Sequence, residues 1–229
     1  MLQIPSVRRR NHFFLLCNRI MGKVFKYAFI VFLAGLFAVA SQFFPMFLET
    51  VSAATGVPKD VKEGDVIFQT SQSQQSPLIQ VATQSKISHC GIIVMKGGKP
   101  YVLETLKTLK LTPLQDFIKR GKGGEYWLKR PKKDNIKIKY DKYLGLPYDL
   151  AFKFDNGKFY CSELVYDIYK NQLGIELCKP KKVGDYFVAG TEYLPVIKRV
   201  MKKRKIKTEQ LAVAPVDVFE SDLLFEVSK

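Results

Sequence analysis

Three side chains in this 229-residue sequence have types and surroundings that could work together chemically: Cys161, His89 and Glu104. Cys161 lies in "NGKFYCSELVYDIYKN", where a glycine-containing loop gives way to a segment with apolar residues at Leu164, Val165, Ile168 and Leu173. That spacing is close to the i, i+3, i+4 pattern of a helix burying one face, so the cysteine is expected at a helix N-terminus. There the positive end of the helix dipole and unpaired N–H groups favour a thiolate over a thiol, whose ordinary pKa is near 8.5. A thiol, an imidazole that takes its proton and a polar group that holds the imidazole make up the set for nucleophilic acyl transfer. The amide of Cys161 itself is the first candidate donor to an oxyanion. His89 is the one histidine beyond residue 53, and Glu104 follows it by fifteen positions.

Those residues act together only if the chain brings them together. "ISHCGIIVM" and "YVLETL" read as two strands joined at "KGGK", and a two-residue Gly97-Gly98 turn fixes their register. His89 then faces Leu106 and Glu104 faces Gly91, so His89 and Glu104 become diagonal neighbours on one face. A slip of one residue would separate them. Gly91, lacking a side chain, leaves space for Glu104 to lean toward the imidazole. Cys90 points to the opposite face and reads as a core residue. "GDVIF" reads as a further strand, and "SQSQQSPLIQVATQS" as a helix entered at Pro77 with Leu78, Ile79, Val81 and Ala82 as its buried set. The stretch from Lys129 to Lys142, which includes "NIKIKY", alternates charge with isoleucine and is expected to form a half-solvated strand, and "LGLPYDLAF" leads into the Cys161 helix. With no internal repeat and no long linker, residues 54–229 are expected to form one α+β domain.

The beginning of the chain has a different character. Arg8-Arg9-Arg10 and Lys23/Lys26 precede an uncharged apolar run from Tyr27 to Ala40 that ends in Ala38-Val39-Ala40, as a secretory signal does. The apolar character continues through Phe43 to Leu48, so residues 1–53 are expected to be either a cleaved signal or an N-terminal membrane anchor, with Met21 an alternative start. Export places the domain in the periplasm or cell envelope. Six of the 37 Lys and Arg and one of the 21 acids precede residue 54, leaving a strongly basic remainder. The run "KRVMKKRKIK" has no interleaved aromatic residues to stack bases, so nucleic acid is not the expected partner. A solvated face or attraction to an anionic envelope or membrane surface fits it better. With one histidine and no paired C-x-x-C, a multi-histidine or four-cysteine zinc site lacks ligands, and no G-x-x-x-x-G-K-[ST] phosphate loop occurs. No metal or cofactor is expected.

"GDVIF" followed by "SHCGIIV" resembles the Gly-Asp strand and the histidine strand of the NlpC-type cell-wall cysteine peptidases. "LPYDLAF" and "YCSELV" are similar to their tyrosine and nucleophile-helix block. In those enzymes the cysteine block comes first, whereas here the histidine precedes it by 72 residues. That order matches the circularly permuted papain-like hydrolases, and the wording of both motifs looks most like the YiiX/YebB-type subgroup. The resemblance implies an antiparallel barrel-like sheet with the nucleophile helix packed on it. It implies Cys161 as nucleophile, His89 as base, Glu104 as the polar orienter and Tyr148 as a site-lining residue near the oxyanion. The implied activity is that of a cysteine hydrolase cleaving an amide, with a peptidoglycan peptide as the expected substrate. A lipid thioesterase or acyltransferase is the first alternative, although the "N-C-E-H-F" motif of such relatives is not matched by "Y-C-S-E-L-V". A silent envelope-binding module is the second.

Overall fold

The register that the Gly97-Gly98 turn sets is the one the chain adopts. In the computed structural model, which describes residues 56–187 and 194–227, Ile92 lies opposite Leu103 and Lys96 opposite Lys99. Both turn glycines have the positive φ that a two-residue hairpin turn demands. The expected export signal or anchor lies outside the described residues.

The strands in chain order are β1 (Val66–Gln69), β2 (His89–Lys96), β3 (Lys99–Thr105), β4 (Leu109–Pro113) and β5 (Trp127–Pro131), then a short ribbon of β6 (Lys181–Lys182) with β7 (Leu211–Ala212), and finally β8 (Leu224–Glu226). The main sheet runs β4-β3-β2-β1-β5-β8, and every pairing in it is antiparallel. Its two ends, β4 and β8, are not joined by a ladder among the described residues. The helices are α1 (Ser76–Thr83), α2 (Leu114–Arg120), α3 (Cys161–Ile168), α4 (Leu194–Arg204) and α5 (Pro215–Phe219).

Strand alternation sends Ile67, Ile93 and Val102 to one face, where Leu114, Phe117 and Ile118 of α2 cover them. On the other face Phe68 and Trp127 meet Phe219 of α5 edge-on, with ring centroids 5.2 and 6.2 Å apart. The α3 helix packs on β2 and β3. Leu164, Val165, Ile168 and Leu173, the positions expected to face inward, are all buried.

The Gly-Asp pair before β1 holds the sheet to its surroundings. Gly64 has φ +92°, and a Cβ there would lie 2.7 Å from Ile136. Asp65 is fully buried and accepts two hydrogen bonds from Arg130, at 2.7 and 2.8 Å, and one from the Lys62 N–H at 2.8 Å.

Two expectations about elements need correction. Of the stretch from Lys129 to Lys142, only Lys129–Pro131 joins the sheet, as the end of β5, and "NIKIKY" joins none. Its alternation of burial is real, with Ile136 and Ile138 inside, but both edges of β1 and of β5 are already occupied. Side chains therefore replace a ladder: the N–H groups of Ile138 and Lys139 donate to Glu63 at 2.8 Å and Gln172 at 2.9 Å. The second correction concerns α1. Leu78, Ile79, Val81 and Ala82 are half-buried rather than enclosed, because this apolar face flanks a cleft.

Candidate active site

His89 opens β2 and Glu104 lies near the end of β3, so the hairpin delivers both to one face. His89 Nε2 is 2.6 Å from Glu104 Oε2. Gly91 makes this approach possible: a Cβ at that position would lie 2.4 Å from Val102 Cγ1, 2.9 Å from the Leu103 carbonyl and 3.3 Å from Glu104 Cβ. With Nε2 committed to the carboxylate, Nδ1 is the nitrogen left to face Cys161, whose charge and that of the imidazole stabilise each other. The structure thus brings together the three residues that the sequence singled out.

A fourth member had no signature in the sequence. Arg120, the last residue of α2, donates from Nη2 to both oxygens of Glu104, at 2.5 and 2.6 Å. A fully buried carboxylate between an imidazole and a guanidinium is a charge paired on both sides. The buried Glu104 itself was the available signal, since such a group demands a cation. The α2 helix also supplies Phe117, whose ring stacks on His89 with centroids 5.7 Å apart and planes 24° from parallel.

The electrostatics favour charge on both Cys161 and His89. Burial works against an imidazolium at His89, but Cys161 and Glu104 outweigh it and raise the group from 6.5 to about 9. For Cys161 the largest influence is the adjacent Cys90 thiol; with His89 it overcomes burial and pulls Cys161 well below the ordinary cysteine value. Glu104 is opposed by burial, yet His89 and then Arg120 hold it below the usual glutamate range. Cys90 has the complete burial expected of a core residue, together with a contact that was not expected: its thiol lies against Cys161. Burial drives Cys90 up, so it remains a thiol and a donor beside the Cys161 sulfur. Cys178, half-buried, is pushed up to about 12, and the three cysteines Cys90, Cys161 and Cys178 are all free.

At the start of α3 the N–H of Cys161 has no intrahelical acceptor, as in any first turn. The turn is held by Ser162, whose hydroxyl donates to the Val213 carbonyl at 2.6 Å, and by Tyr160, whose phenol oxygen accepts the Val213 N–H at 3.1 Å. Tyr148 lies on the cleft beside Cys161, where burial raises its phenol well above the ordinary value and keeps it protonated.

That cleft runs from Cys161 between α1 and α4. It has an empty volume of about 830 Å³ that opens to solvent, and its walls include Leu78, Ile79, Phe152, Ile197, Met201 and Ile206. His89, Glu104 and Arg120 do not line it. Sequence reading missed the cleft because its walls come from stretches more than a hundred residues apart, each of which reads alone as an amphipathic helix packing on a core.

A family model for permuted papain-like amidases, the YaeF/YiiX or C92 family, matches residues 60–228. The chain belongs to that family. It is 34% identical over 176 residues to an uncharacterised protein, YiiX, of Escherichia coli strain K12, covering 72% of this chain and 85% of the relative. The fold is similar to the crystal structure of the metalloprotein YiiX from Escherichia coli O157:H7, with a TM-score of 0.64, 34% identity, and coverage of 73% of this chain and 97% of that one. Membership of the YaeF/YiiX family makes this protein a cysteine hydrolase of the permuted papain-like type, with the sheet and nucleophile helix that the motif order implied. Among the described residues no group of three or more His, Cys, Asp or Glu is placed to hold a metal ion.

Proposed function

We propose that the protein hydrolyses an amide whose acyl half is a long aliphatic chain, through a thioester on Cys161. The observation that carries this reading is the cleft: it ends at the nucleophile, and its walls are almost wholly apolar. A wall peptide would bring charged and amide groups into a space where Arg204 and Gln75 are the main polar partners, and these hydrogen-bond to each other at 3.0 Å.

In this scheme the Cys161 thiolate attacks the carbonyl carbon, and the oxyanion receives the Cys161 N–H, with the Tyr148 hydroxyl nearby as a second donor. His89, protonated at Nδ1, gives its proton to the departing amine nitrogen as the C–N bond breaks, leaving the thioester. Neutral His89 then takes a proton from water, whose oxygen attacks the thioester. The carboxylic acid leaves and the thiolate–imidazolium pair is restored. Glu104 fixes the imidazole through Nε2, and Arg120 fixes Glu104. Residues 1–53 are proposed to carry the domain to the cell envelope.

Substrate length tests the reading. Each methylene buried is worth about 0.8 kcal/mol, so kcat/KM on N-acyl amines should rise about fourfold per methylene until the cleft is filled. Leu78→Trp, which narrows the cleft, should move the optimum to shorter chains. Turnover of peptidoglycan fragments, with acyl amines inert at every length, would instead support the wall-peptide substrate. Inertness toward both, with Cys161 unreactive, would support the silent module.

A further inference from the structure

The α4 helix has two faces of opposite character. Ile197 and Met201 are buried, and with Val200 they line the cleft. On the outer side Lys198, Arg199, Lys202 and Lys203 are exposed, as are Lys205 and Lys207 just past the end of the helix, and none forms an ion pair among the described residues. From Leu194 to Thr208 the chain has seven basic residues and no acid. Complementing the helix dipole accounts for cations in the last turn, but not for Lys198 and Arg199 in the middle. An ordinary solvated helix face mixes charges of both signs.

Apolar side chains accompany the cations. Val196 on α4 is 47% exposed and Leu150 is 50% exposed, and Leu150 shares a shallow cleft with Lys158, Lys203 and Arg204. Asp149, the acid in that cleft, has its carboxylate occupied by the N–H groups of Ala151 and Lys153 and by the Asn156 amide. We propose that the exposed face of α4, with Leu150 beside it, docks on the surface of an anionic phospholipid bilayer. Cations for the headgroups and scattered aliphatic tips for the acyl boundary are what such a surface selects. A duplex or single-stranded nucleic acid fits less well, because this face offers no aromatic platform. Docking here sets a cleft wall against the bilayer, and it stands whichever bond the enzyme cleaves.

Amide hydrogen exchange of the full chain tests the proposal, because it reads α4 whatever residues 1–53 do. Exchange over residues 194–207 is compared on vesicles of phosphatidylcholine alone and of phosphatidylcholine mixed with phosphatidylglycerol. Protection is expected on the mixed vesicles only, and should disappear at about 1 M salt, where screening is nearly complete. Each cation at an anionic surface contributes about fivefold to partitioning, so K198Q/R199Q/K202Q/K203Q should remove the protection. That variant should keep its unfolding midpoint and its turnover of a short soluble substrate. Equal exchange on both vesicle types would overturn the proposal, as would protection by a short duplex DNA with none on vesicles.

Discussion

Cys161, His89, Glu104 and Arg120 form an alternating line of charge, each member holding the next in its ionised form. In the proposed mechanism the reactive form is the thiolate–imidazolium pair, and its limits follow from the direction in which each group is shifted. His89 is raised to about 9, so the imidazolium that protonates the leaving group is present below that pH and lost above it. Cys161 is lowered, so the thiolate is lost only as pH falls well below the ordinary cysteine range. A bell-shaped kcat/KM profile is expected, with its alkaline limb near 9, both limbs belonging to the pair jointly. A thiol-reactive probe in limiting amount at neutral pH should label Cys161 ahead of Cys90 and Cys178, both of which burial holds as thiols. His89→Ala should lower kcat/KM by about 10²–10⁴-fold, the usual worth of a positioned acid–base group. Glu104→Gln should cost less, because it removes the holder of the base rather than the base. An intact, folded Glu104→Gln protein as inactive as Cys161→Ala would show that the carboxylate has another task.

At the scale of elements, what could be read from the sequence depended on how locally each feature is determined. The β2–β3 hairpin was legible because two glycines with positive φ fix its register within a dozen residues. The α3 helix was legible because its apolar spacing continues past its end to Leu173. The α2 helix has seven residues and follows Pro113 directly, too short to show a period, so Arg120 and Phe117 went unseen. The β5 strand was overshadowed by the "NIKIKY" alternation beside it, which satisfies the same pattern with side-chain acceptors. The Gly-Asp motif was seen as a strand leader, but its energetic weight lies in a distant partner, Arg130. Removing one member of a buried ion pair leaves the other uncompensated, so Asp65→Ala should destabilise the fold by about 3–5 kcal/mol in urea titrations. Gly91→Ala should act differently. Its Cβ has no room between Val102 and the Leu103 carbonyl, so it should push β3 away and weaken the His89–Glu104 contact. Loss of activity larger than the loss of stability is the expected signature.

For the whole molecule, the N-terminal segment and the catalytic domain pose separate questions. Tyr27 to Ala40 is short of the roughly twenty apolar residues needed to span a bilayer, while continuation to Leu48 reaches that length with interruptions. Fractionating cells that express the full chain distinguishes the outcomes. A shortened product in the soluble envelope fraction means cleavage, and a full-length membrane species means anchoring. A full-length protein in the cytosol would remove the export reading. None of the described helices is long and apolar enough to cross a membrane.

The cleft walls and the charge line share little beyond Cys161. His89, Glu104 and Arg120 are held by the hairpin and α2, whereas the cleft is shaped by α1, α4 and residues 212–215, where β7 passes into α5. Reactivity and selectivity are thus separately mutable. A lineage can try one wall substitution after another, widening, shortening or bending the cleft, while the proposed catalytic pair stays intact and ready for whatever substrate next fits.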